Sequence, residues 1–117
     1  MTPHLKVGLA SARRPLPYSA AQLKVVRDGM RMVVDGGTGR RGGEAVAVPV
    51  SGKTGTAEVG IGERRRKNTW FIAYAPSAMP TVAVAMVIEN GESGGATTAP
   101  KVRNVLAQVF GSGKVER

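Results

Sequence analysis

Between positions 51 and 58 the chain reads Ser51-Gly-Lys-Thr-Gly-Thr-Ala-Glu58, which sets a cation, two hydroxyls and an unobstructed backbone side by side. On an extended strand, Lys53 supplies a fixed positive charge that can hold a substrate carboxylate and bias proton transfer. Thr54 and Thr56 add hydroxyls for charge-assisted hydrogen bonds to that carboxylate. Gly55 has no Cβ, so an acyl substrate can lie against the backbone and pair with it as an added strand. A backbone N–H here can supply half of an oxyanion hole, where one donor is worth ~3 kcal/mol of barrier. Gly52-Lys53-Thr54 also matches the end of the phosphate-loop pattern G-x-x-x-x-G-K-S/T. That pattern needs glycine at position 47, which is Ala47 here, and a helix straight afterwards, which Gly55 interrupts. The phosphate-loop reading fails on both counts.

Composition narrows the remaining chemistry. The 117 residues contain no cysteine and a single histidine, His4, which excludes thiolate chemistry and argues against a structural zinc site. No metal or other cofactor is expected. At 42% hydrophobic and 4% aromatic, the chain can bury a core that must be mainly aliphatic. No segment approaches the ~20 apolar residues that a membrane span requires, and no apolar run follows Thr2-Pro3-His4 as a secretory signal would demand. The net charge of +9 is concentrated at Arg40-Arg41 and Arg64-Arg65-Arg66-Lys67. Both clusters fall in Gly-rich stretches and read as solvated loop charges. Neither interleaved aromatics nor a helix-turn-helix pattern accompanies them, so no nucleic-acid partner is expected.

The elements that must position the 51–58 stretch follow from periodicity and punctuation. Residues 1–18 are extended and Pro-punctuated. Ser19 is a helix N-cap, with Gln22 completing a capping box. Leu23, Val26, Met30 and Val33-Val34 then recur at helical spacing on a face expected to be buried. Gly36-Gly37 ends the helix, and Gly36 to Gly43 reads as a flexible loop. After a short apolar stretch broken by Pro49, Ser51 to Val59 reads as a strand. The next glycines and the Arg cluster form a hairpin connection, and Thr69 to Tyr74 is a second strand. Thr81 to Glu89 is the strongest strand signal and, being almost wholly apolar, is expected to be central and covered on both faces. A last helix begins near Thr98, with Pro100 in its first turn and Val102, Val105, Leu106 and Val109 on one face, closed by Gly111. Helix, three hairpin-linked strands and helix imply an α+β unit: an antiparallel sheet with helices packed on it.

In this order, Lys53-Thr-Gly-Thr-Ala-Glu58, Asn68-Thr-Trp-Phe-Ile-Ala-Tyr-Ala-Pro76, Val82-Ala-Val-Ala-Met-Val-Ile-Glu-Asn-Gly91, Gly94-Gly95 and a helix resemble class B penicillin-binding proteins, especially the elongation-type, PBP2-like branch. Met1-Thr-Pro-His-Leu5 and Gly29-Met-Arg-Met-Val33 look like the segment preceding the Lys-Thr-Gly strand there, so the resemblance covers essentially the whole of residues 1–117. It implies part of a β-lactamase/transpeptidase-like fold. It also implies that Lys53 and Thr56 act in catalysis and that Thr54, Gly55 and Thr56 bind the D-Ala-D-Ala end of a peptidoglycan stem peptide, the group β-lactam antibiotics imitate. Lys53 would orient a hydroxyl of the family's middle motif and, with Thr54 and Thr56, bind the terminal carboxylate. The Thr56 backbone would help form the oxyanion hole. Glu58 reads as structural, and Trp70 as packing on the neighbouring strand.

The chain departs from the family pattern in one respect: no serine has lysine three residues on, and no S-x-N or Y-x-N occurs. In the family those motifs lie upstream, so this chain is expected to supply one wall of the site and to be inactive alone. Its expected partners are the upstream half of the domain and, through uncovered apolar surface, copies of itself. The resemblance places the parent protein in the cell membrane with its catalytic domain outside. Two other readings remain open at this point: a fragment of a β-lactam sensor or serine β-lactamase, and a non-enzymatic basic module for an anionic polymer.

Overall fold

The computed structural model describes residues 14–113, so His4 and the Met1–Leu5 segment lie outside the described residues. Helix α1 (Ala20–Asp35) starts at the capping box expected of it: Gln22 N–H donates to Ser19 Oγ at 3.2 Å, and Ser19 N–H donates to Gln22 Oε1 at 2.9 Å. Strands β1 (Ser51–Val59), β2 (Arg66–Ala75) and β3 (Val82–Glu89) follow, then helix α2 (Ala99–Phe110), entered through a wide turn at Gly94–Thr98. Pro100 sits in the first turn of α2, where its missing N–H costs nothing. The sheet is antiparallel in the order β1-β2-β3, as hairpin-length links dictate.

One face of the sheet carries the core. Phe71 and Ala73 from β2 meet Val102 and Leu106 from α2, with Val46, Val50 and Val34 closing the sides. Arg31 fastens α1 to the start of β1: its guanidinium donates to Val50 O at 2.8 Å and pairs with Asp35 at 2.6 Å. The segment before β1 is held to the end of α2 by the Val46–Ser112 bridge. Thr69 and Thr98 are both fully buried, their hydroxyl oxygens 2.8 Å apart, and they pin the start of α2 to the middle strand. Thr69 Oγ1 also lies 3.2 Å from Ile88 O, and Thr98 Oγ1 3.0 Å from Thr69 O. Two hydroxyl protons serve these three contacts, so two can be made at once.

Phe71, the only fully buried aromatic among the described residues, explains the glycine-rich turn before β1. A Cβ added at Gly42 would lie 2.5 Å from its ring, one at Gly52 2.7 Å and one at Gly39 2.9 Å. Three glycines thus make a cup for one ring, whose burial is worth about 1.5–3 kcal/mol. The expectation of a flexible loop from Gly36 to Gly43 is therefore corrected. Arg40–Gly42 forms a tight helical turn with Gly39 and Gly42 beneath the aromatic. Glycine serves close approach here, not freedom.

Four further expectations change. The central strand is β2, not β3: Thr69, Phe71, Ala73 and Ala75 are buried, whereas β3 half-buries Val82, Val84, Met86 and Ile88 and exposes Ala83, Ala85 and Val87. Sequential hairpins put the middle strand in the middle, and nothing among the described residues covers the second face. In α2 the buried stripe is Ala99, Val102 and Leu106, while Val105, beside that stripe, and Val109, in the last turn, are exposed. In α1 only Val34 is buried and Val26 is exposed, since this helix meets the rest of the chain at its C-terminal end. Strand β2 also begins earlier than expected, so Arg66 and Lys67 are strand residues paired with Val59 and Glu58.

Candidate active site

Strand β1 is an outer strand of the sheet, paired with β2 on one side and with no strand on its other side among the described residues. A two-residue alternation then divides the candidate residues between its faces. Thr54 lies opposite Phe71 and Thr56 opposite Thr69, on the core side. Lys53 lies opposite Ile72 and Gly55 opposite Trp70, on the open side.

Thr54, Gly55 and Thr56 line a cleft of about 520 Å³. Its other walls are the turn Gly37–Arg41 and the loop Ser93–Ala96. The Thr54 and Thr38 hydroxyls are 2.8 Å apart, which joins the turn to the strand. From the loop, Gly94 N–H reaches Thr56 Oγ1 at a long 3.4 Å. Gly94 is seated directly on the strand pair: an added Cβ would lie 2.7 Å from Gly55 O and closer still to Trp70 O. Only glycine fits there, so the loop approaches the strand as nearly as two backbones allow. Ser93 steadies it by accepting from Ala96 N–H at 3.1 Å.

Lys53 does not line this cleft. It is exposed, and its ammonium donates to Thr54 O at 2.8 Å. The structure therefore gathers three of the four candidate residues in one concavity and sets the fourth on the opposite face of the same strand. Its neighbours on that face are apolar and open: Trp70 is 42% exposed, Ile72 45% and Val87 42%. Trp70 packs beside Gly55 as expected, yet much of its ring stays uncovered. Glu58 forms an exposed ion pair with Arg65 at 3.7 Å, remote from the cleft lining.

Sequence reasoning missed Thr38, Arg40, Arg41 and Ser93 as cleft residues. Arg40-Arg41 was visible as a charge cluster and Gly94-Gly95 as a glycine pair, but nothing local shows that both fold back onto β1. Among the described residues no group of three or more His, Asp or Glu side chains converges as a metal site, and no helix is long and apolar enough to cross a membrane.

An antiparallel sheet with helices on one face, an outer strand bearing Lys-Thr-Gly and a cleft along that strand define a transpeptidase-like unit. The chain belongs to the penicillin binding protein transpeptidase domain family, whose model matches residues 9–107. It is 37% identical over 106 residues to the peptidoglycan D,D-transpeptidase PbpA of Mycobacterium tuberculosis, covering 86% of this chain and 21% of the relative. To the peptidoglycan D,D-transpeptidase MrdA of Haemophilus influenzae it is 32% identical over 130 residues, covering 90% of this chain and 20% of that protein. Among solved structures it matches Pseudomonas aeruginosa PBP2 in complex with WCK 5153, with a TM-score of 0.65 and 42% identity over 74% of this chain and 19% of that one. Penicillin-binding protein 2B of Streptococcus pneumoniae matches with a TM-score of 0.65 and 29% identity over 85% of this chain and 17% of that one. The chain thus spans about a fifth of the length of the curated relatives it matches.

Proposed function

We propose that this chain forms the Lys-Thr-Gly wall of a peptidoglycan D,D-transpeptidase, from a membrane-anchored protein whose catalytic domain faces outward. The observation that carries the reading is the run Thr54-Gly55-Thr56 on an outer strand, unpaired on that edge among the described residues and lining a cleft. An extended stem peptide ending in D-Ala-D-Ala pairs along that edge, and Gly55 lets its backbone come close. Lys53 holds the terminal carboxylate from the open side of the strand, and the hydroxyls of Thr54 and Thr56 bind the stem peptide from the cleft side. The Thr56 N–H donates to the carbonyl oxygen as charge develops there.

The nucleophile comes from the other half of the domain. Its serine hydroxyl attacks the penultimate D-Ala carbonyl, the C–N bond to the last D-Ala breaks, and that residue leaves with the proton on its amine. An amine from a neighbouring stem then attacks the ester, forms the cross-linking amide and returns the proton to the serine. β-Lactams enter the same site and stop at the ester. Lys53 shares the open face with Trp70, Ile72 and Val87, so the nucleophile-bearing half docks on that face and covers it. In the complete domain, fluorescent penicillin should label the serine of that half stoichiometrically. A complete domain that takes up no label overturns the proposal.

A further inference from the structure

The cleft holds two cations that the reading above leaves unused. Arg40 and Arg41 line it beside Thr38, Thr54 and Thr56, and among the described residues no carboxylate lines it. Neither arginine forms a salt bridge among the described residues, where the three recorded pairs use Lys24, Arg31 and Arg65. Two cationic side chains at one wall of a cleft raise the local potential for an anion. Both arginines are exposed, but the backbone turn that carries them is fixed. Gly42 N–H donates to Gly39 O at 2.8 Å, Gly43 N–H to Arg40 O at 3.2 Å, and both Gly39 and Gly42 are trapped under Phe71. The Thr38–Thr54 contact then sets the turn at a constant distance from the Lys-Thr-Gly strand. Two cations and the hydroxyls of Thr38, Thr54 and Thr56 on a fixed backbone thus offer an anion partners in one cleft.

Lys53 faces the other side of β1, so the strand edge runs between two separate cationic centres. A peptide whose C-terminal carboxylate is held by Lys53 has no need of the second. The planar guanidinium fork matches a carboxylate with two parallel hydrogen bonds, which a lone lysine does not offer. We infer that Arg40 and Arg41 form a second carboxylate subsite, selecting acyl-donor peptides that carry an acidic group besides the C-terminal one. This inference rests on the transpeptidase reading of the same cleft.

The test uses the complete transpeptidase domain and two synthetic peptides ending in D-Ala-D-Ala. One carries a free side-chain carboxylate upstream of that end, and the other carries the same group as its amide. The double variant Arg40→Ala/Arg41→Ala should raise KM for the acidic peptide by about tenfold to a hundredfold, on the scale of losing charge-assisted contacts. KM for the amide should move less than about threefold, and so should the rate of penicillin acylation, which reports an intact fold. Arg40→Lys/Arg41→Lys should fall between, because it keeps charge and loses the fork. Equal losses on both peptides, no loss on either, or collapse of penicillin acylation in the double variant overturns the inference. If the wild-type domain itself takes up no penicillin, the parent reading falls and calorimetry decides the subsite alone. Tighter binding of the acidic peptide that vanishes with the arginines then supports it, and equal binding of the two peptides overturns it.

Discussion

The hydroxyl oxygens of Thr38 and Thr54 stand 2.8 Å apart, one on the glycine-rich turn and the other inside the Lys-Thr-Gly motif. They are 16 positions apart in sequence, and the contact makes the turn part of the cleft. Substitutions on either side of it therefore act on one structure.

Incubated alone with fluorescent penicillin, the chain should remain unlabelled. None of its serines is followed three residues later by lysine. Gel fluorescence and intact mass decide it, and a stoichiometric covalent adduct would sink the view that the nucleophile lies elsewhere.

Self-association is expected of the isolated chain. Trp70, Ile72 and Val87 lie on an uncovered sheet face at 42%, 45% and 42% exposure, and contiguous apolar surface of this kind marks an interface. Sedimentation velocity should show oligomers that Ile72→Lys shifts towards monomer. A concentration-independent monomer with a cooperative melt would count against an unfilled docking face.

In the complete domain, Lys53→Ala should slow penicillin acylation by about a hundredfold or more, the scale of one preorganised electrostatic partner. Lys67→Ala, at the exposed start of β2, should change it less than about threefold. Wild-type rates for both variants would remove Lys53 from the site.

Thr98→Val should destabilise the fold by about 1–3 kcal/mol, because it keeps the shape but removes the buried hydroxyl that contacts Thr69 Oγ1 and donates to Thr69 O. Denaturant unfolding of the complete domain measures this. A change below about 0.5 kcal/mol would show the pair to be idle.

Local signals in the sequence located several elements closely. Ser19 and Gln22 fixed the start of α1, since a capping box is complete within four residues. The bounds of β1 fell at Ser51 and Val59, between clear turn residues. What stayed hidden depends on long-range pairing. The two-faced apolarity of β3 suggested a central strand, but position in the sheet is set by what pairs with it, and Ala83, Ala85 and Val87 simply await cover. Gly39 and Gly42 read as freedom because their reason, the ring of Phe71, lies some thirty positions away. Lys53 and Thr54 are adjacent in sequence, yet a strand sends neighbours to opposite faces, so one motif serves two sides.

The cup around Phe71 also limits how this stretch of chain can change over generations. Alanine at Gly39, Gly42 or Gly52 collides with the same ring, but Gly39 also meets Val33 and Gly52 the Ile72 carbonyl, so a change at Phe71 alone can relieve only Gly42. A smaller residue at position 71 would leave a void that a methyl at position 42 partly fills. Two individually damaging changes would then be milder together, a form of epistasis concentrated on one aromatic. Drift in the turn that carries Arg40 and Arg41 is thus gated by a residue that touches neither.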